Sequence, residues 1–240
     1  MKLDDAKKLH QKKYRQLSGC YLVEGEHLVL ELLRALAQRT ALAQSHVYVT
    51  EEYRDFQQQL PQTVVSARQM AQMSDTKSPQ GIVAVVPQLP VSAQGQEQAI
   101  YLWQCQDPGN LGTIMRTLAW FGRFQLLLSP DSVDPYNPKV VRASMGAVFH
   151  LPMQLDVAPD TLPSRFSHFA CLDMAGQPLT ELRASGGSCL VFGNEARGLP
   201  AELVQALGAE AFTIPGSGAI ESLNLASALN MCVWELRRSG

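Results

Sequence analysis

The sequence predicts an α/β protein of two domains, and three observations support this. Short apolar runs alternate with helical patterns, a proline-containing break separates two such stretches, and turn motifs follow the later apolar runs. Near-continuous apolar strands separated by helices are typical of a mostly parallel sheet with helices on both faces. Ligands bind beyond the carboxyl ends of the strands in such sheets, so these turn motifs are the candidate site.

The first domain is predicted at residues 1–86, as a small α/β unit. Its strands are predicted at 20–23, 46–50, 63–66 and 81–86, and its helices at 26–38, 51–60 and 67–73. The first of these helices carries four leucines at helical spacing, namely Leu28, Leu32, Leu33 and Leu36. Residues 87–98 combine two prolines, a glycine and polar residues, which is typical of a linker.

The second domain is predicted at residues 99–240. Strands are expected at 100–105, 124–128, 169–173, 189–192 and 211–214, with helical segments between most of them. Three chemically distinctive segments each begin where one of these strands ends.

The net charge of −2 over 240 residues does not by itself indicate a nucleic-acid-binding protein. Basic residues nevertheless crowd the N-terminus: Lys2, Lys7, Lys8, Lys12, Lys13 and Arg15. Such a cluster can attract phosphates, or it can be a solvated helix face, and the sequence leaves both open.

The five cysteines include no CxxC pair, and Cys105, Cys189 and Cys232 lie in apolar runs. They are expected to be small buried residues in a reducing compartment, not metal ligands or disulfides. No signal peptide and no apolar run long enough for a membrane span is found, so a cytoplasmic protein without membrane contact is expected.

The first motif occupies residues 107–122, DPGNLGTIMRTLAWFG. Asp-Pro-Gly favours a tight turn, and the helix that follows has an apolar stripe from Leu111 to Leu118. Arg116 falls roughly opposite that stripe, close to a turn that carries Asn110. A guanidinium held there suits a phosphate or a developing oxyanion, although an exposed helix arginine would look the same.

The second and third motifs occupy residues 190–200 and 214–238. In the second, a strand enters the turn Gly193-Asn194-Glu195, and Gly198 suggests a further backbone position that needs positive φ. In the third, glycines loosen a loop before a long helix that Ser222 or a neighbour caps. The apolar stripe of that helix is expected to include Leu223, Ala226, Leu229, Val233 and Leu236.

Several other enzyme classes lack their signatures. A GxGxxG dinucleotide loop is not formed, because Glu221 stands where the third glycine belongs. Neither a P-loop nor HExxH is present, and no metal-ligand cluster is seen, so no metal is expected.

Together, in this order and spacing, the three segments closely resemble the signature motifs of the SpoU (TrmH-type) RNA ribose methyltransferases of the SPOUT superfamily. The resemblance covers residues 100–238. Residues 139–152 resemble the helix between the first two motifs, and residues 1–86 resemble the substrate-binding domain of many members. The third motif departs from the commoner pattern at Gly216 and at Leu225-Ala226-Ser227, which affects pocket shape.

The resemblance implies a C-terminal trefoil knot, a homodimer, and S-adenosylmethionine held by the second and third motifs. It implies that Arg116 activates the ribose 2′-OH, by stabilising an alkoxide or through a phosphate. The other catalytic positions that it implies are Asn110, Glu195, Ser222 and Asn224. The implied cofactor-binding residues are Phe192, Gly193, Asn194, Gly198, Ile214, Pro215 and Leu223.

The substrate is expected to be RNA, with ribosomal RNA favoured over tRNA because of the additional N-terminal domain. A tRNA 2′-O-methyltransferase and a non-catalytic knotted RNA-binding protein remain alternatives. A nicotinamide-dependent oxidoreductase would fit the α/β pattern but lacks its fingerprint. Ordinary turn glycines and helix caps would explain each motif singly, but not their joint order.

Overall fold

A computed structural model describes residues 1–89, 98–183 and 187–239, so most of the predicted linker, residues 90–97, lies outside the described residues. The α-helices are α1 (Leu3–Ala6), α2 (Lys12–Ser18), α3 (Glu26–Ala35), α4 (Ala67–Met73), α5 (Pro108–Phe121), α6 (Pro138–Ser144), α7 (Ala201–Leu207) and α8 (Leu225–Ser239). The strands are β1 (Cys20–Glu24), β2 (His46–Val49), β3 (Gln62–Val64), β4 (Ile82–Pro87), β5 (Gln98–Leu102), β6 (Phe124–Leu128), β7 (Met153–Gln154), β8 (His168–Pro178), β9 (Ser188–Phe192) and β10 (Glu210–Thr213).

These elements form two compact units. Unit 1 consists of the described residues before position 90 together with Asp134–His150, and unit 2 consists of the other described residues. The sequence assigned residues 99–240 to one domain, whereas Asp134–His150 belongs to unit 1. The physical reason is packing: α6 lies against β1, and Asp134 accepts hydrogen bonds from Nε and NH2 of Arg15 at 2.9 and 2.6 Å.

Unit 1 has a four-stranded mixed sheet in the order β1-β4-β2-β3. Residues 21–23 are all buried, because both faces of the sheet are covered. One face packs on α4 and the N-terminal helices through Leu9, Met70 and Met73. Unit 1 therefore combines a mixed sheet with helices.

Three predictions in unit 1 need correction. The predicted helix at 51–60 is wrong: only a short 3-10 turn, Glu51–Tyr53, forms, and Gln57 adopts φ +39°. Strand β3 ends before Ser66, whose side chain instead caps α4 in a capping box with Gln69. Arg15 is also not part of a free basic face, since it is only 3% exposed.

Unit 2 has a six-stranded sheet in the order β10-β8-β9-β5-β6-β7, with every pairing parallel. One face packs on α7 and the 3-10 helix at Pro159–Ser164 through Tyr101, Leu127 and Val191. The other face lies under α5, whose buried stripe includes Ile114 and Leu118, and α5 packs along α8. The predicted parallel sheet with helices on both faces is confirmed.

Two details of unit 2 differ from the sequence prediction. Strand β8 is longer than the predicted 169–173, and its register with β10 shifts between Ala211 and Phe212. In the third motif, Leu223 does not join the apolar stripe of α8, because the helix begins at Leu225 and Leu223 is exposed. The other four predicted stripe residues of α8 are buried.

The cysteines follow their expected pattern, apart from one. Cys105, Cys171, Cys189 and Cys232 are buried, and Cys20 is partly exposed. All five are free thiols. Over the residues described, no helix has both the length and the apolar character that crossing a bilayer requires.

Candidate active site

The three sequence motifs lie at the carboxyl edge of the parallel sheet in unit 2. Strands β5, β9 and β10 end at Leu102, Phe192 and Thr213, and each leads into one motif. Because β5 and β9 are direct neighbours, the first two motifs start side by side. The parallel topology therefore gathers segments that are far apart in the chain.

The first motif is a capped turn and helix. Asp107 is the N-cap of α5, and its Oδ1 accepts a hydrogen bond from the backbone N–H of Asn110 at 2.7 Å. Pro108 takes the first helical position, where its missing N–H costs no hydrogen bond. This local geometry fixes where Asn110 stands.

The carboxylate of Glu195 ties the second motif to the first. It accepts hydrogen bonds from the backbone N–H groups of Gln106 at 3.1 Å and Asp107 at 3.0 Å, and from Asn110 Nδ2 at 3.3 Å. Burial alone would raise the pKa of Glu195, but these backbone and amide donors outweigh it and lower the pKa below the usual 4.5. Glu195 is therefore an ionised anchor at neutral pH.

Asn224 brings in the third motif. Its Nδ2 donates to Asn110 Oδ1 at 2.9 Å, while its Oδ1 accepts from the N–H of Ser227 at 3.2 Å and so caps α8. Asn110 thus bridges Asn224 and Glu195, and all three motifs form one hydrogen-bonded network. The cap of this helix is therefore Asn224 and not Ser222.

The turn of the second motif is shaped by backbone proximity. Asn194 and Gly198 exchange backbone hydrogen bonds at 3.1 and 2.9 Å, and Gly198 takes φ +65° as expected. A Cβ on Gly193 would stand 2.3 Å from the carbonyl carbon of Gly198, so only glycine fits there. The side chain of Asn194 is buried and donates to the carbonyl of Gln104 at 2.7 Å.

A cavity of about 730 Å³ opens beside this network. Its walls come from the second motif, the third motif, β8 and α7. Among the predicted site residues, those that line it are Phe192, Gly193, Asn194, Glu195, Gly198, Ile214, Ser222 and Leu223. The volume falls within the range typical of small-molecule sites.

Four predicted site residues lie outside this lining. Asn110 and Asn224 join it indirectly, through their hydrogen bonds to Glu195 and to each other. Arg116 is exposed on α5 and has no hydrogen bond or ion pair with any described residue. Pro215 is exposed in the loop after β10.

Ser222 lines the cavity, but it makes no hydrogen bond to any residue that the structure describes. Among the described residues, Ser222 therefore does not hold the third-motif loop by a hydrogen bond. Asn224 does so instead.

Sequence reasoning missed three contributors. Asp173 and Met174 line the cavity, because the register shift between β8 and β10 leaves them out of the strand pairing. Arg197 also lines it and donates to the side chain of Gln104 at 2.8 Å. For Asp173 and Met174 the one signal in the sequence was Gly176, because a glycine within a strand often marks the close approach of another backbone, here that of β10.

In the described part of the chain, no group of three or more His, Cys, Asp or Glu side chains could hold a metal ion. The site consists of amides, carboxylates, backbone groups and two nearby arginines. Such a set can bind an organic ligand and stabilise charge on a substrate oxygen.

Comparison with known proteins agrees with this geometry. The sequence model of the SpoU rRNA Methylase family matches residues 97–234, which is more than half of the chain. The chain belongs to the SpoU rRNA Methylase family. A model described as the MRM3-like substrate binding domain matches residues 2–84 of this SpoU family member.

Two relatives span nearly the whole of this SpoU family member. An uncharacterised tRNA/rRNA methyltransferase of Synechocystis is 35% identical over 97% of the chain and 89% of its own length. The 23S rRNA (guanosine(2553)-2′-O)-methyltransferase RlmP of Bacillus subtilis is 30% identical over 98% of the chain and 96% of its own.

Two solved structures are similar to this chain over almost its whole length. A TrmH-family RNA methyltransferase from Porphyromonas gingivalis has a TM-score of 0.83 at 29% identity, with 99% and 97% of the two chains covered. An AdoMet-bound rRNA methyltransferase from Sinorhizobium meliloti has a TM-score of 0.80 at 27% identity, with 99% and 94% covered.

Proposed function

We propose that this protein transfers a methyl group from S-adenosylmethionine to a ribose 2′-OH of ribosomal RNA. The observation that carries the proposal is the network of Asn224, Asn110 and Glu195, which joins three SpoU motifs beside one ligand-sized cavity. The full-length relative RlmP, a 23S rRNA 2′-O-methyltransferase, supports both the reaction and the RNA class.

The cavity suits S-adenosylmethionine. Gly193 lines this cavity together with Ile214 and Leu223, and these residues can contact an adenosine. Carboxylates of Asp173, Glu195 and Glu221 line the same cavity, and negative charge favours a ligand with a sulfonium and an ammonium. When bound, this donor supplies an electrophilic methyl group that needs no metal to activate it.

The residues of the chain then act on the nucleophile. A ribose hydroxyl is a very weak acid that must release its proton to solvent as it attacks. A positive donor placed at its oxygen lowers the barrier by stabilising the developing alkoxide. Arg116 suits this role, because its guanidinium has no partner among the described residues and stays protonated. Asn110, fixed by Glu195 and Asn224, anchors the first turn of the helix that carries Arg116.

The first test is methyl transfer from radiolabelled S-adenosylmethionine to total RNA of cells that lack this protein. Label in ribosomal RNA, recovered as a 2′-O-methylnucleoside, is the expected result. Label in tRNA would show that the substrate is tRNA and not ribosomal RNA. Recovery of a base-methylated nucleoside would refute methylation of the ribose. No label despite intact cofactor binding would favour the non-catalytic RNA-binding alternative.

The second test is Arg116→Ala. We expect this variant to bind S-adenosylmethionine normally, by calorimetry, and to lose most methyl transfer. Arg165→Ala, which removes an exposed arginine ahead of β8, is the matched control and should transfer methyl normally. Normal turnover by Arg116→Ala would contradict the mechanism.

A homodimer and a trefoil knot extend this proposal. Large apolar side chains are exposed on the paired helices α5 and α8, with Trp120 at 85%, Trp234 at 58% and Met231 at 44%, which supports a second copy as their cover. Light scattering should give a dimer for the native chain and a monomer for Trp120→Glu; a native monomer would refute the dimer.

The strand order supports the knot, because β9 lies between β8 and β5 while α8 returns to pack on α5. Stretching a single molecule from its ends should leave a chain shorter than the full extended length. Full extension would show an unknotted chain.

We also propose that residues 1–86 bind the RNA substrate, that 87–98 link, and that the methyltransferase lies within 99–240, apart from Asp134–His150, which belong to unit 1. The substrate-binding match at residues 2–84 supports it. A cytoplasmic location is proposed as well, supported by the five free cysteines. Cell fractionation with an antibody to the chain would test it.

A further inference from the structure

Arg197 is the one cation among the described residues that line the cavity, and the three-motif network does not use its side chain. It is exposed to solvent. A guanidinium carries five N–H donors. The side chain of Arg197 makes one hydrogen bond with the described residues, from NH2 to Gln104 Oε1 at 2.8 Å. Most of its donors are therefore available to a ligand.

Gln104 holds this arginine from an unusual backbone conformation. It follows β5 with φ +49°, a region that non-glycine residues rarely adopt. Three contacts fix it there: its N–H donates to Ser129 Oγ at 2.7 Å, its carbonyl accepts from Asn194 Nδ2 at 2.7 Å, and its Oε1 accepts from Arg197. Strained backbone that several contacts maintain is often found at functional sites.

The position of Gln104 indicates whether the Arg197 side chain serves the cofactor or the RNA. Gln104 is not part of the cavity lining and belongs to the turn that precedes Asp107 and α5. Its bond therefore ties the guanidinium to a residue outside the lining, on the segment that leads into the first motif. Because the ribose is proposed to bind at α5, which this segment precedes, the tie favours a contact with the RNA.

Neighbouring carboxylates do not pair with Arg197. Glu195 accepts from Gln106, Asp107 and Asn110, and the Oδ1 of Asp107 accepts from the N–H of Asn110. The charge of Arg197 is therefore left for an anion, and a planar guanidinium matches phosphate oxygens well.

We propose that Arg197 binds a backbone phosphate of the RNA beside the target ribose, and that Gln104 positions the guanidinium for this contact. This inference rests on the proposed function. Arg197 then contributes to RNA affinity and not to cofactor affinity, and Gln104 contributes through Arg197.

The test compares Arg197→Gln, Arg197→Lys, Gln104→Ala and the double variant Gln104→Ala/Arg197→Gln with the native chain. Arg165→Gln, which removes the same charge ahead of β8, is the matched control. Each protein is assayed for KM and kcat with a 23S rRNA transcript, for RNA affinity across salt concentrations, and for S-adenosylmethionine affinity by calorimetry.

For Arg197→Gln we expect RNA affinity to fall about tenfold, the cost of one charged hydrogen-bonded contact. The slope of log affinity against log salt should become shallower by about 0.7, one phosphate contact to a single strand. The kcat at saturating RNA and the cofactor affinity should not change. Arg197→Lys should keep the native slope, because it keeps the charge.

Gln104→Ala should weaken RNA binding less than Arg197→Gln does, and the double variant should be no weaker than Arg197→Gln alone. Additive losses would refute the positioning role of Gln104. Unchanged RNA affinity and slope in Arg197→Gln would refute the phosphate contact, and weakened cofactor binding instead would make Arg197 a cofactor residue. If the native chain binds RNA without methylating it, the proposed function fails while these binding comparisons still decide the role of Arg197.

Discussion

Replacing Glu195 with glutamine tests whether the site depends on one anionic anchor. In the native chain, three amide N–H donors from Gln106, Asp107 and Asn110 converge on this carboxylate. Glutamine keeps the size but turns one acceptor oxygen into an NH2 group, which then faces another donor. At least one of the three hydrogen bonds is therefore lost and replaced by repulsion between two N–H donors.

The magnitude follows from the kind of contact and its exposure. A hydrogen bond to a charged group contributes about 1.5–3 kcal/mol when protected from water. Because Glu195 is exposed and water screens its charge, we reduce the total expected for Glu195→Gln to about 1–2 kcal/mol. The same residue lines the cavity, so S-adenosylmethionine should bind about tenfold more weakly to Glu195→Gln.

Calorimetry with S-adenosylmethionine and thermal unfolding measure the two effects. Glu202→Gln is the control, because Glu202 is exposed on α7 and makes no side-chain hydrogen bond with the described residues. Native cofactor affinity and native thermal stability in Glu195→Gln would refute the anchor.

The same anchor predicts a pH dependence. The pKa of Glu195 is lowered in the folded chain, so its contribution to stability is complete above the usual value of 4.5 and is lost as the pH falls through the folded pKa. The difference in unfolding free energy between the native chain and Glu195→Gln should therefore be constant near neutral pH and shrink below 4.5. A difference that stayed constant into acid would contradict the assignment.

Two further predictions concern packing. Gly193→Ala places a methyl group 2.3 Å from the carbonyl carbon of Gly198, so it should disrupt the second-motif turn and abolish cofactor binding in calorimetry. Gly216→Ala, with open space around it, should preserve binding, and equal binding by both variants would refute the need for this close approach. Arg15→Met leaves the 9%-exposed Asp134 without its cation and should lower the unfolding free energy in urea by about 3–5 kcal/mol, and a native urea midpoint would refute the estimate.

The sequence predicted those features of the fold that depend on local pattern. Strand β6 and helix α4 have the predicted bounds, since an apolar run and a short helical pattern are both recognised within a few residues. The helix at 51–60 failed, because helical spacing there lacks a continuous buried face and Gln57 takes a left-handed conformation. Long-range packing decides such segments.

The site was predicted at the level of its motifs and not of all its contacts. Asn110, Glu195 and Asn224 were identified through the family resemblance, and the structure adds how they bond to one another. Asp173 and Gln104 were not predicted, because a register shift and a left-handed turn residue bring them to the site. Gly176 was the one signal for the register shift, and the left-handed residue has no residue pattern of its own.

The bridging amide of Asn110 has a consequence for how the active enzyme forms. Its partner Glu195 lies 85 residues later in the chain, and its partner Asn224 lies 114 residues later. Contacts of such long sequence separation form late in folding, because much of the chain must first be ordered. The first motif can form its own helix cap from nearby residues, but its link to the other two motifs requires that α8, which Asn224 caps, has docked.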